Sequence, residues 1–415
     1  MKRGVRTIGA SSGTSGRPST PVTCMTTDTS SPGLRVWFAV IVLGVASFTM
    51  VTTEFAPVGL LSQIALDLGQ DQAAVGLTVT LYAWIGAASG LLSAVLLQGF
   101  PRKPLLVVLM LVLSATNLAA MLSDGFTGLL LARAVGAVVH GFFWAMAAAI
   151  ATQIAPSHRM GVATAIVFGG ISMATVVGVP LVNLIGQNNG WRAAFGVIGG
   201  VGLCTSVLMV GVLPRLRAGS PAGWQALAAV ICRQDLRKIY SVTAFMAAAN
   251  FAAYTFIEPF LGEIADVPPF MIGVMLFGFG GAGFVGNILS GVLIDRFMTS
   301  VITWGLLALA GALVGLGWFG PQLGTGTVVT LLVVWGAAVA ALFAGLQTWI
   351  LRAAGSMAMS AAAIHSTVIN SAIGAGAILG ARMLTLSDVS GVMLMAGAIV
   401  IVPLLIMRVG RSCET

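Results

Sequence analysis

Charge is what this sequence is short of. Asp, Glu, Lys and Arg make up 8% of 415 residues, against roughly a quarter in a soluble globular domain, which excludes an ordinary water-soluble chain. Acidic residues are the scarcer sign, 12 against 20 Lys and Arg. Asp is nearly absent from the long apolar runs, so no Ser, His and Asp grouping of a hydrolase can be assembled there. The four cysteines, Cys24, Cys204, Cys232 and Cys413, have neither metal-ligand nor disulfide-framework spacing, and no metal or redox chemistry follows from them. No GxxxxGK[ST] phosphate loop occurs, so the chain carries no ATPase of its own. GFGGAG at 278–283 fits GxGxxG, yet it lies inside an apolar run with no strand before it; small residues there are expected to let helices approach.

What is present is apolar. The chain is 58% hydrophobic with a mean hydropathy of +1.02. Continuous runs of about 20 residues, enough for a helix to cross a ~30 Å hydrocarbon core, recur throughout. Twelve spans are expected, at 36–61, 73–98, 104–123, 126–153, 159–185, 191–213, 238–262, 269–294, 299–320, 326–351, 357–382 and 388–408. The fold class is therefore an all-α membrane protein. The net charge of +8 does not point to nucleic acid, because the basic residues sit in alternate loops. With the N-terminus in the cytoplasm, Arg35, Arg102, Lys103, Arg159, Arg215, Arg217, Arg233, Arg237, Lys238, Arg296, Arg352, Arg408 and Arg411 fall inside. Only Arg192 and Arg382 fall outside, and Arg133 lies within a span. The positive-inside rule then puts both termini in the cytoplasm.

Residues 1–34, rich in Ser, Thr, Gly and Pro, are expected to be a disordered tail, with Met25 a candidate start. Residues 35–213 and 238–408 form two six-helix bundles, 214–237 a cytoplasmic linker and 409–415 a short cytoplasmic tail. The bundles repeat each other: LLSAVLLQGF at 91–100 matches ILSGVLIDRF at 288–297, VGAVV at 135–139 matches WGAAV at 335–339, and Glu54 to Pro57 matches Glu258 and Pro259. A common offset of about 200 residues marks a parallel internal repeat.

Ionisable residues inside spans are costly and normally functional. Glu54 in span 1 and Arg133 in span 4 lie at matching depth and are expected to pair. Ser47, Met50 and Glu54 share one face of span 1. Arg133, His140 and Trp144 follow at i, i+7 and i+11 on one stripe expected to face a central cavity. Histidine changes charge most readily near neutral pH, and either it or Glu54 could carry a proton. Span 7 sets Asn250, Tyr254 and Glu258 at i, i+4 and i+8, with Gln347, His365 and Asn370 available from spans 10 and 11. Such a lining suits a polar ring bearing hydroxyls. Pro57 and Pro259 each free a main-chain carbonyl one turn earlier. The plainer alternatives are a permanent Glu54 to Arg133 strut, an interface role for Glu258, and packing roles for His140, His365, Trp144 and Tyr254.

With TTEFAPVGLL at 52–61, LYAWIGA at 81–87, RAVGAVVHGFFWA at 133–145, GVPLVNLIGQNNGWR at 178–192, AAYTFIEPFL at 252–261 and INSAIGAGAILG at 369–380, the chain resembles the major facilitator superfamily. Its drug:proton antiporter branch, and within that the bacterial sugar efflux transporters, look most similar. The resemblance implies two pseudo-symmetric bundles working by alternating access in the bacterial inner membrane, driven by protons, with no other cofactor. It implies proton coupling for Glu54, Arg133 and His140. Substrate contacts would come from Trp144, Asn250, Tyr254, Glu258, Gln347 and Asn370. Conformational roles are implied for Gly136, Gly178, Pro180, Gly291, Asp295 and Arg296. Two departures stand out: QGFPRKPLL at 98–106 lacks the acid of the family's loop motif, and Val182 stands where the span 5 motif usually has Gly. The function expected is export of a sugar or sugar-like solute by proton antiport, by a monomer whose partners are that solute and the bilayer. A drug exporter is the alternative, since three Tyr against nine Trp and twenty Phe do not separate the two. A proton-independent facilitator or sensor is the next.

Overall fold

The computed structural model describes residues 33–97, 100–154, 159–214, 224–264, 267–322 and 324–409. Met25, Cys24, Cys413, Arg215, Arg217, Arg411 and nearly all of the expected tails lie outside the described residues. Every regular element among them is helical: α1 (Leu34–Gly59), α2 (Leu61–Asp67), α3 (Gln72–Leu96), α4 (Arg102–Met121), α5 (Phe126–Ile154), α6 (Met160–Met173), α7 (Val179–Asn189) and α8 (Trp191–Val212) in the first half. After α9 (Trp224–Cys232) come α10 (Gln234–Tyr254), α11 (Ile257–Gly262), α12 (Pro269–Phe319), α13 (Thr325–Ala354), α14 (Ala358–Leu386), α15 (Val389–Ile399) and α16 (Ile401–Val409).

Nine stretches among the described residues are long and apolar enough to cross a membrane. Two of them, at 51 and 62 residues, are double length, since 51 residues of helix would reach ~75 Å. The first is broken at Phe297, whose φ of −131° and ψ of 35° are not helical. The second turns at Gly355, where φ is +55°, a conformation that glycine adopts without strain. Dividing both adds two spans. The expected span 7 is not among the nine, because α10 opens with Asp235, Arg237 and Lys238 and then runs through Ala, Thr, Asn and Tyr. It is nevertheless buried along most of its length, and with it the twelve expected spans are accounted for. The expected linker also contains a helix, α9, packed against α14 and α10.

The two halves meet along three seams. At the first, Thr80 Oγ1 in α3 donates to Gly374 O in α14 at 3.1 Å, and Trp84 Nε1 donates to Ser371 O at 3.0 Å. At the second, α12 approaches the π-helical turn Ala174–Gly178 between α6 and α7; a Cβ at Gly280 would strike the main chain of Thr175 and Val176. GFGGAG thus serves close packing, as expected. The third seam is aromatic: Phe55 of α1 stacks on Phe251 at 5.4 Å between centroids and meets Tyr254 edge-on at 6.0 Å. Each such pair contributes about 0.5–1.5 kcal/mol beyond burial. The end of the bundle carrying Gly59 to Gln72 and Phe256 to Pro269 is also bridged. There Gln187 Nε2 donates to Pro269 O at 2.7 Å, and Phe256, fully buried, fills the gap beside Gly76 and Gly380. At the opposite end, the contacts Arg35 to Gly211, Lys103 to Leu213, Arg233 to Ala353, and Arg352 to Asp295 each stay within one half.

Candidate functional site

Pro57 organises the first half. Lacking an N–H, it leaves the carbonyl of Thr53 without its helical donor. In the structure Arg133 of α5 supplies that donor: Nη1 donates to Thr53 O, and Nη2 donates to Glu54 O at 2.7 Å. The guanidinium also lies 4.1 Å from the centroid of the Tyr82 ring, in cation–π geometry. Arg133 is 2% exposed, so a cation is held inside the bundle by main-chain oxygens and an aromatic face.

The expected carboxylate pairing is therefore corrected. Among the described residues Arg133 makes no ion pair with the Glu54 carboxylate; the freed carbonyl at Thr53 is the better-placed acceptor. Glu54 Oε2 instead lies 3.6 Å from His140 Nε2, about two turns further along α5. His140 in turn meets Tyr82 and Trp144 edge-on at 5.3 and 6.1 Å between centroids. Arg133 and His140, expected on a stripe facing an open cavity, are buried; only Trp144 of the three is partly exposed. Asn117 completes the shell, donating to Thr53 Oγ1 at 3.1 Å and to Leu113 O at 2.8 Å.

The chemistry of this cluster lies in what is left over. Eight buried side-chain atoms among the described residues have no hydrogen-bond partner: Ser47 Oγ, Thr52 Oγ1, Glu54 Oε1, Thr78 Oγ1, Tyr82 Oη, Asn117 Oδ1, Arg133 Nε and His140 Nδ1. All eight belong to α1, α3, α4 and α5. Buried polar atoms are ordinarily paired, and each exception costs about 1–3 kcal/mol. Four of them, on Glu54, Tyr82, Arg133 and His140, belong to one contact network, and that network is a site able to take up a proton or a polar group.

The second half treats its polar residues differently. Glu258, on the short helix α11, accepts from Ser62 N at 3.0 Å and from Ser62 Oγ at 2.8 Å, so it ties the closed end of one half to the other. Asn250 Oδ1 accepts from Trp335 Nε1 at 2.9 Å. Tyr254 is stacked on Phe279 and edge-on to Trp335. At 3% and 4% exposed, Asn250 and Tyr254 sit in aromatic packing and do not line an open cavity as expected. Gln347 Oε1 lies 2.8 Å from His365 Nδ1, and Thr243 Oγ1 lies 3.0 Å from His365 Nε2. Gln347 and Asn370 are partly exposed, and the Asn370 amide is turned back to Ser366 O.

The positions given conformational roles separate into two kinds. Gly136 faces Thr116 and Tyr82, where a Cβ would come within 3.2 Å of Thr116 Oγ1. A Cβ at Gly178 would collide with Thr52, so span 5 does pack tightly on span 1 despite Val182, which is itself buried. Pro180 stands at the second position of α7, directly after the π-helical turn Ala174–Gly178 that joins α7 to α6. Gly291, by contrast, is open on all sides. Asp295 pairs with Arg352 at the surface, and Arg296 lies 5.3 Å from the Phe297 ring centroid.

Sequence reasoning missed Ser62, Tyr82, Asn117 and Asn183, whose Nδ2 donates to Gly59 O at 2.8 Å. Tyr82 stands in the quoted LYAWIGA stretch, and a lone Tyr two spans before a buried Arg was a usable signal. Asp67 was also passed over: Arg192, and then Trp191, hydrogen-bond its carboxylate and hold it below the usual carboxylate range.

Several solved structures share this fold. A bacterial homologue of the human lysosomal transporter Spinster, inward-facing and occupied, superposes with a TM-score of 0.73 at 14% identity, over 91% of this chain and 97% of that one. The nucleoside transporter NupG gives 0.73 at 12%, over 89% and 99%. A POT family transporter in complex with 5-aminolevulinic acid gives 0.72 at 11%, over 90% and 95%. At such identities the likeness concerns the fold alone. The sequence itself matches the Major Facilitator Superfamily over residues 42–381. With that match and this architecture, the chain belongs to the Major Facilitator Superfamily, whose members are membrane transporters and not enzymes.

Proposed function

We propose that the protein is a proton-coupled exporter of a small polar solute, a sugar or sugar-like compound, and that Glu54 with His140 is its proton site. The observation that carries the reading is the Glu54 carboxylate: buried, with one oxygen facing the His140 imidazole at 3.6 Å and the other unpartnered. A carboxylate in that setting gains most from a proton when no cation pairs with it, and Arg133 is committed to main-chain carbonyls. Proton binding would be felt directly by α1, because the same helix carries Phe55 and the chain continues to Ser62 at the contact with Glu258.

With the N-terminus cytoplasmic, the bridged end is the outer one and the pathway opens inward. In this reading the Ser62 to Glu258 contact is the outer gate, and Asp295 with Arg352 belongs to the inner one. The polar solute would meet Trp144, Gln347 and Asn370, the partly exposed members of the candidate set. A drug exporter of the same mechanism is favoured by one observation, the aromatic run Phe55, Phe251, Tyr254, Phe279 and Trp335 at the seam.

The test is uptake of labelled arabinose or a thiogalactoside into everted vesicles under an imposed pH gradient, parent against Glu54→Gln. Accumulation in the parent that falls to the level of empty vesicles in Glu54→Gln is the expected result. Sugar flux indifferent to the gradient would overturn the coupling; drug-dependent proton movement with no sugar flux would replace the sugar by a drug.

A further inference from the structure

A cavity of about 360 Å3 opens between the start of α10 and the last turns of α16, away from the polar cluster around Glu54. It is lined by Gln234, Arg237, Lys238, Ser241 and Ile406. The four α10 residues stand at i, i+3, i+4 and i+7, which places an amide, a guanidinium, an ammonium and a hydroxyl on one stripe of the helix. Among the described residues neither cation is within 4.0 Å of a carboxylate. The nearest acid in sequence, Asp235, is taken by Arg233, which hydrogen-bonds it and holds it below the usual carboxylate range. Lys238 Nζ instead lies 5.9 Å from the Trp349 ring centroid.

The same stripe turns apolar deeper in the helix. Phe245, about 12 Å beyond Arg237 along the axis, is 41% exposed, and on α16 Val402, one turn deeper than the cavity-lining Ile406 on the same face, is 36% exposed. The crevice thus runs from two cations and hydrogen-bond donors at the helix end to bare hydrocarbon one to two turns inside. That gradient is the profile of a membrane lipid, with its phosphate at the helix end and its chains alongside Phe245 and Val402. Inorganic phosphate would use only the first part of it.

We propose that the crevice between α10 and α16 is a binding site for an anionic phospholipid, with the lipid phosphate held between Arg237 and Lys238. Gln234 and Ser241 donate the remaining hydrogen bonds. Because α10 also carries Asn250 and leads directly to Glu258, lipid bound there braces the helix that forms one side of the inter-bundle seam.

The full-length protein in detergent, titrated with dioleoyl phosphatidylglycerol and followed by native mass spectrometry, tests the site. The parent should retain phosphatidylglycerol in preference to phosphatidylcholine. Arg237→Ala with Lys238→Ala should weaken retention about thirtyfold, the effect of two cations each contributing about 1 kcal/mol to an anionic headgroup. Arg102→Ala with Arg159→Ala removes the same charge elsewhere and should leave retention unchanged. Arg237→Lys should keep most of it, which separates lost binding from lost folding. Equal weakening in both double variants, or no preference over phosphatidylcholine, would overturn the proposal. Displacement of the lipid by inorganic phosphate at matched concentration would also overturn it, in favour of a site for the free anion.

Discussion

The two halves of this chain share short sequence matches at an offset of about 200 residues, yet they satisfy their buried polar groups in opposite ways. Among the described residues of the first half, eight buried polar atoms are unpartnered, four of them on Glu54, Tyr82, Arg133 and His140. In the second half the equivalents are closed: Glu258 on Ser62, Asn250 on Trp335, His365 between Thr243 and Gln347. Both Glu residues sit beside a proline, but only Pro57 has an arginine to take its freed carbonyl. The difference teaches that a repeat conserves places, while the neighbouring helix decides what each place does. An unsatisfied cluster can change its protonation or bind; a satisfied one holds shape.

The comparison breaks most sharply at Arg133. Arg133→Met removes two charge-assisted hydrogen bonds and strands the Thr53 carbonyl that Pro57 has freed, so a loss of about 3–5 kcal/mol is expected. Thermal unfolding in detergent would register it. Arg133→Lys keeps a charge but cannot serve both carbonyls, and should recover only part of the stability. If Arg133→Met melted with the parent, the guanidinium would not be what holds the bend in α1.

The contrast between the two histidines comes next. His365→Leu removes the partner of Gln347 Oε1 and leaves Thr243 Oγ1 with only its bond to Ile239 O, so about 1 kcal/mol of stability should be lost, while the pH dependence of transport keeps its shape. His140→Leu removes the ring that faces the Glu54 carboxylate at 3.6 Å, so its effect on the pH dependence should be large. The measurement is a pH profile of uptake beside a melting curve for each variant. A flattened pH profile in His365→Leu would erase the proposed division of labour.

How much of this could be read from the sequence depends on the length scale. Hydropathy sufficed for the helical membrane spans, because each span is decided by its own composition. The depth of Glu54 and Arg133 was legible for the same reason. Their partners were not: equal depth brings two side chains to one level but does not choose between a carboxylate and a main-chain carbonyl. The loss of an N–H at Pro57 was visible in the sequence and, carried one step further, would have directed Arg133 to Thr53. Tyr254 and Asn250 looked like cavity residues because polar side chains inside a span usually are. The aromatic neighbours that bury them come from α12 and α13, about 25 and 80 residues further along, and spacing on one helix carries no information about them. Ser62 was invisible as the partner of Glu258, since one serine in a polar loop has no pattern at all.

At the bridged end the halves are compared through one contact. Ser62→Ala removes the hydroxyl donor to Glu258 and leaves the main-chain N–H, so about 1 kcal/mol should be lost from the closed arrangement. That corresponds to about a fivefold shift toward the open one. Distances between labels placed on α2 and α11, measured with and without the substitution, would show a larger separated population. An unchanged distribution would mean that Phe256 and the aromatic seam hold this end without help from the hydrogen bonds.

The smallest effect is expected at Asp67, where the first half is satisfied again near its surface. Arg192 and Trp191 both bind its carboxylate, and the group lies below the ordinary carboxylate range in the folded protein. A depressed folded value means that the stabilisation is complete above the unfolded value of about 4 and is lost as the pH falls through the folded one. Both partners are well over a third exposed or close to it, at 46% and 35%, so screening limits the contribution to under about 1 kcal/mol. Asp67→Asn should therefore melt slightly below the parent at neutral pH, with the gap constant down to about pH 5 and closing below about pH 4. A gap that persisted in acid would assign the stabilisation to the neutral hydrogen bond from Trp191 Nε1, 3.0 Å away, and not to the charge. In either case the effect stays local, because Asp67 is held by Arg192 and Trp191 alone, and the unpaired polarity that distinguishes this half lies further inward, at Glu54.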